Sequence, residues 1–306
     1  MKYEGSKLRI GFRGFTFLTL AALALVNVSC TTIDAVSGQS VYNIYTITDD
    51  IQLGRNTIQS NTEALQEQGV PINQDPARLA QLSNMVERIT AVADMPELPY
   101  TVTLYHTNIV NAAAAPGGSM IVFSGLYSDE VGLARDEDEL AAIMAHEVAH
   151  VNCRHSTERL SKLMTAAIGT EIAAAVLESN DEDDWAMGLR ALFAVGTAVY
   201  VPIHSQKDEF EADRVGLFYL ARAGYDPRAA PRIWKRVSDE QDGEHHKASI
   251  FATHPSAWDR YEALEKMLPY AMDEYARATG SYPTDYAPPE WYTPGATDFD
   301  WRNPAK

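Results

Sequence analysis

Residues 136–155, Asp136-Glu-Asp-Glu-Leu140-Ala-Ala-Ile143-Met144-Ala-His146-Glu147-Val-Ala-His150-Val151-Asn-Cys153-Arg154-His155, carry the clearest structural signal in this chain of 306 residues. The carboxylates of Asp136 to Asp138 suit the positive N-terminal end of a helix. Leu140, Ile143, Met144 and Val151 then recur at helical spacing, so this helix is expected to be packed. His146 and His150 stand one turn apart on one face, where two imidazoles can reach a single ion. Glu147 lies ~100° around the helix from His146, near enough to touch a water beside such an ion without ligating it.

Two histidines need a third ligand, and the run Glu209-Phe-Glu211-Ala-Asp213-Arg214 offers one. Glu209 and Asp213 again lie one turn apart, on a helix expected from about Lys207 to Arg222 and stopped by Gly224-Tyr-Asp-Pro227. Glu209 reads as the metal ligand. Asp213 is placed to accept the Nδ1–H of a ligand histidine and fix its tautomer. Glu211 reads as a surface carboxylate, Arg154 and His155 as structural salt-bridge formers, and Cys153 as a small core residue.

Around these two helices the chain reads as α+β, predominantly helical, with a small sheet beside the histidine-bearing helix. A first helix is expected near 47–68, and Asp75-Pro76 opens a second carrying Leu79, Leu82, Met85, Val86 and Ile89. Tyr100 to Tyr105 alternates as a strand. Asn111 and four alanines then read as a loop before Pro116-Gly-Gly turns into a second strand, Met120 to Phe123, whose edge is expected to take an extended peptide. The apolar segments 164–177 and 185–203 are interrupted by Glu171 and Arg190 and read as buried core helices rather than membrane spans. Ser256 and Asp259 suggest a capping box for a helix over 257–268.

Composition narrows the function by exclusion. With 42 Asp plus Glu against 25 Lys plus Arg the net charge is −17, which argues against a nucleic-acid partner, and 46% hydrophobic residues exclude wholesale disorder. Two cysteines are too few for a disulfide scaffold. At the N-terminus Lys2, Lys7, Arg9 and Arg13 precede an apolar run from Phe15 to Val28, shorter than the ~20 residues a span requires. The run ends in Val-Ser-Cys30, similar to a bacterial lipobox, although Asn27 stands where that pattern usually has leucine. Residues 1–29 are thus expected to be a signal peptide and Cys30 the site of lipidation. The expected location is the bacterial cell envelope, facing the periplasm and lipid-anchored, in the outer rather than the inner membrane.

His146-Glu-Val-Ala-His-Val-Asn-Cys-Arg-His155 followed by Glu209-Phe-Glu-Ala-Asp-Arg214 resembles the M48 family of zinc metallopeptidases. Asn111-Ala112 with Pro116-Gly117-Gly118, Ala223-Gly-Tyr-Asp-Pro227 and Thr253-His-Pro-Ser256 extend the resemblance over roughly 50–268, closest to a bacterial envelope lipoprotein branch. One departure is Pro202-Ile-His204-Ser-Gln-Lys, where the family pattern leads one to expect Tyr-Ser-Arg, so any role for His204 is in doubt. The resemblance implies a peptidase domain over 30–270, and the Pro- and Tyr-rich composition with little periodicity after it reads as an irregular tail over 271–306. It implies one Zn2+ per chain, held by His146, His150 and Glu209, with Glu147 as general base toward a zinc-activated water. His254 is the candidate donor to the oxyanion, and its loop is expected to be able to hold the enzyme latent. The implied substrates are unfolded or misassembled envelope proteins, and the alternative is a non-catalytic zinc-containing chaperone or assembly factor.

Overall fold

The computed structural model describes residues 31–130, 132–178, 204–239 and 257–304 (backbone alone for 167–178). A short hairpin, β1 (Thr31–Ile33) and β2 (Ser40–Tyr42), leads into α1 (Ile47–Glu67) and α2 (Pro76–Thr90). Three strands follow: β3 (Thr101–Tyr105), β4 (Ala112–Ala115) and β5 (Ser119–Phe123). The rest is helical: α3 (Glu137–Asn152), α4 (His155–Glu178), α5 (Gln206–Arg222), α6 (Ala229–Asp239) and α7 (Ala257–Thr279). The architecture is the expected α+β. Cys30, the 185–203 segment, His254 and Ser256 lie outside the described residues.

The sheet corrects two expectations. Its order is β3-β5-β4, with β3 parallel and β4 antiparallel to β5, so the strand through Met120 to Phe123 is the middle one and has no open edge. The alanines read as a loop form β4, an edge strand with all four residues buried. Alanine has little strand propensity of its own, and packing decides the matter here. Ala112 and Ala114 share the core with Leu140, Met144 and Val148 of α3, and their small side chains let the helix lie close, while Ala113 faces the other side with Leu65, Tyr105 and Ile121. At the turn into β5, Gly117 takes φ 70, and a Cβ there would stand 2.5 Å from the Ile51 Cα, so only glycine lets α1 pass across this corner.

Helix α3 is the centre of the molecule. Asp136 caps it by accepting the Glu139 N–H, and from Leu140 to Asn152 every side chain except the half-buried Ile143 is buried. Helix α5 crosses α3 at unusually close range because Gly216 faces it: a Cβ there would lie 2.9 Å from the His146 Cα. Helix α6, which the sequence reading did not anticipate, buries Ile233, Trp234 and Val237. Helix α7 runs eleven residues beyond the expected end at 268, through Pro269. The chain from Gly280 onward is irregular but packed, since Asp273 accepts bonds from the hydroxyls of Tyr282 and Tyr292 and from the Gly295 N–H. Trp301 stacks on Phe218 at 5.0 Å. Met164, the first residue of one apolar segment, is exposed rather than buried, and no described helix is long and apolar enough to cross a membrane.

Glu139 ties α6 to the start of α3. Its carboxylate receives Arg236 at 2.7 Å and Arg232 at 3.4 Å, plus the Arg135 N–H. Burial alone would raise this carboxyl, but the Arg236 bond and the Arg135 N–H outweigh it and hold the group below its ordinary 4.5. A depressed folded pKa stabilises the fold above the unfolded value and ceases to do so as pH falls through the folded one. Glu139→Ala should therefore cost about 1.5–3 kcal/mol at pH 7, toward the lower end because Arg232 is partly exposed. Urea unfolding should show the gap closing below pH 4.5, and an equal gap at pH 3 would exclude the ion pair as its cause.

Candidate metal centre

The closeness of α3 and α5 brings His146, His150 and Glu209 to one point. His146 Nε2 lies 3.0 Å from His150 Nε2 and 3.4 Å from Glu209 Oε2, and His150 Nε2 lies 3.5 Å from Glu209 Oε1. All three side chains are buried. Zinc bonds of about 2.0–2.1 Å place neighbouring ligand atoms of a tetrahedron roughly 3.3–3.4 Å apart. The spacings match that edge, and two imidazoles with one carboxylate are a donor set zinc accepts, so these residues fit a single divalent ion.

Asp213 stands where expected, its Oδ1 3.0 Å from His146 Nδ1. That contact leaves Nε2 turned into the donor triangle. Burial pulls His146 down, yet the Asp213 and Glu209 carboxylates outweigh it and push it up to about 9, so without a metal this ring holds a proton that an ion must displace. Burial and the neighbouring His204 pull His150 well below the usual histidine value.

Glu147 points from the same helix toward β4 and accepts a bond from the Ala114 N–H. Burial pushes its carboxyl up to about 7, helped by Glu209 and opposed by His146. A carboxyl tuned near neutrality exchanges a proton in both directions at working pH, which suits general base and general acid duty alike. An apolar pocket opens beside His146 and Glu147, walled by Leu133, Ile143, Leu217, Leu220, Ile233 and Trp234.

Several neighbours of the centre escaped the sequence reading. Arg260, on α7, is completely buried and grips Asp213 through Nε and Nη2, both at 2.6 Å, while Nη1 lies 3.0 Å from Glu209 Oε2. Its guanidinium sits 3.6 Å over the Trp234 ring. Burial would raise Asp213, but Arg260 and His146 hold it below the usual carboxylate range. No local signal marked Arg260, since Trp258-Asp-Arg-Tyr-Glu262 reads as an ordinary charged helix face. Arg154 does form the expected salt bridge, to Asp50 at 2.6 Å. His155 also meets a carboxylate, its Nε2 3.6 Å from Glu211 Oε2, and is buried against His150; Glu211 departs from expectation, half-buried and facing His155 rather than solvent. His204 stacks on His150, centroids 3.8 Å apart.

A His-Glu-x-x-His helix crossed by a helix bearing a third acidic donor, with a small sheet alongside, defines the class of metallopeptidase-type α+β domains. Residues 76–268 match the model of peptidase family M48, and the chain belongs to that family. It is 35% identical over 192 residues to the mitochondrial metalloendopeptidase OMA1 of Schizosaccharomyces pombe, covering 62% of this chain and 53% of that one. It is 31% identical over 193 residues to a putative beta-barrel assembly-enhancing protease of Vibrio cholerae, covering 62% and 39%. It is 27% identical over 227 residues to the beta-barrel assembly-enhancing protease of Escherichia coli K12, covering 69% and 45%. The matched region spans about half or less of the length of these relatives.

Proposed function

We propose that this protein is a zinc-dependent endopeptidase that cuts unfolded or misassembled proteins in the bacterial cell envelope. One observation carries the reading: a buried His146, His150 and Glu209 triangle with zinc-ligand spacing stands beside a buried Glu147 that is not part of it. His146, His150 and Glu209 would hold a zinc ion, which would supply Lewis-acid polarisation of a scissile carbonyl and a more acidic water at neutral pH. Glu147 takes the proton of the attacking water and hands it to the leaving amine. The Ala114 N–H orients that carboxylate, and Asp213 with Arg260 holds His146 and Glu209 in place.

Edge strand β4, next to Glu147, offers backbone pairing to an extended peptide, and the pocket beside it takes an apolar side chain. Backbone pairing reads little sequence, which suits unfolded clients. His254 remains the candidate oxyanion donor and latch. Stripped with a chelator, the full chain should lose casein cleavage and regain it with one equivalent of zinc. Metal uptake without cleavage would favour the non-catalytic chaperone.

The envelope location rests on the N-terminal basic and apolar run ending at Cys30. Cys30→Ser should shift the protein from the membrane to the soluble fraction and abolish incorporation of labelled fatty acid. Membrane retention with no label in the wild type would reject lipidation.

A further inference from the structure

We propose that His155 and Glu211 form a positioning relay that sets the tautomer of His150 and thereby the zinc affinity of the centre, an inference that rests on the metal reading above. His150 turns Nε2 into the donor triangle and places Nδ1 2.8 Å from His155 Nδ1. Two imidazole nitrogens at that distance share one proton. With the proton on His155, a neutral His150 carries its own proton on Nε2, where it blocks an ion. With the proton on His150 Nδ1, the Nε2 lone pair faces the triangle.

Glu211 decides between the two. Its Oε2 lies 3.6 Å from His155 Nε2, too long for a hydrogen bond but close enough for charge–dipole attraction in buried surroundings. A carboxylate there favours the His155 proton on Nε2, leaving Nδ1 as the acceptor for His150. Arg214, 2.9 Å from the other oxygen, favours ionised Glu211. His146 obtains the same outcome in one step from Asp213, so each histidine of the motif has its Nδ1 occupied by a residue outside it.

The backbone is built for this contact. Arg154 adopts φ 54, a left-handed conformation unfavourable to a residue with a Cβ, and the turn folds the chain back so that His155 lies buried against His150. Its bonds to Asp50 and the Tyr45 carbonyl hold that turn. Although His150, His155 and His204 lie close enough to suggest a second metal site, the His204 and His150 rings are nearly parallel at 19° and stacked. An imidazole binds an ion in its own ring plane, so stacked rings do not share one. His204 covers His150 instead.

The test compares wild type, His155→Leu and His155→Asn as full chains, measuring zinc affinity by competition with a chromophoric chelator, zinc stoichiometry, and melting of the metal-free protein. Asparagine keeps an oxygen acceptor near the Nδ1 position and leucine does not. His155→Leu should bind zinc about 10- to 100-fold more weakly with little change in metal-free melting, and His155→Asn should remain within about threefold of wild type. Equal affinity in all three overturns the relay, as does a loss in the leucine variant that asparagine fails to recover. A second zinc equivalent in wild type that His155→Leu removes makes His155 a ligand and also overturns it. If wild type binds no zinc, the metal reading itself fails. Nitrogen-15 NMR of the zinc-loaded wild type decides independently of any variant: protons on His150 Nδ1 and His155 Nε2 are expected, and a proton on His155 Nδ1 overturns the relay.

Discussion

Replacing Glu147 by glutamine should leave a folded protein that binds one zinc and has lost about 10²- to 10⁴-fold in kcat. That loss corresponds to roughly 3–5 kcal/mol of barrier. Glutamine has the size of glutamate and still offers an oxygen to the Ala114 N–H, so the contact with β4 survives. It also removes a carboxyl that burial pushes up to about 7, so the fold loses nothing by its neutralisation. Zinc should stay because His146, His150 and Glu209 are untouched. What disappears is the site that accepts the water proton. The measurement is cleavage of an unfolded protein alongside zinc stoichiometry and thermal melting. If the variant keeps more than about a tenth of wild-type kcat, Glu147 is not the base.

Arg260→Met should have the largest effect on stability, about 3–5 kcal/mol, because it leaves two buried carboxylates with only the single charge of His146 to offset them. The sign of the metal dependence follows from charge. In the metal-free chain Arg260 is the main positive charge next to Glu209 and Asp213, whereas bound zinc would neutralise part of the same carboxylates. The destabilisation should therefore be smaller in the zinc-loaded protein, and calorimetry of both forms reads the difference directly. Adding Asp213→Asn to Arg260→Met removes one stranded charge, so the double variant should be less damaged than the sum of its parts by at least about 1 kcal/mol. Strict additivity would mean that Arg260 and Asp213 do not act together, despite their paired 2.6 Å bonds.

The donor triangle was legible because its members stand at helical spacing from one another or from a partner. His146 with His150, and Glu209 with Asp213, each need only one turn of helix to share a face, and a helix was plain from the apolar stripe and the acidic start. Beyond Asp213, the partners of that triangle were not legible. Arg260 comes from a third helix, and nothing in its neighbours distinguishes a buried arginine from an exposed one. The alanines of β4 mislead any reading by propensity, because their reason to be a strand is the helix that packs on them. Pro269 invites a helix end that packing against α5 and α6 overrides.

By itself, then, the order of residues determined the helix class and the candidate donors and base, which depend on separations of a few residues along each of two helices. The tertiary structure alone decided which strand is the edge, which cation neutralises the buried acids, and where His155 points. Those depend on how closely two elements approach. Here that is settled by Gly216 against His146, by Ala112 and Ala114 beside α3, and by a left-handed turn at Arg154. Each permits a contact between residues far apart in the chain, or across a helix break, where spacing along the sequence carries no information.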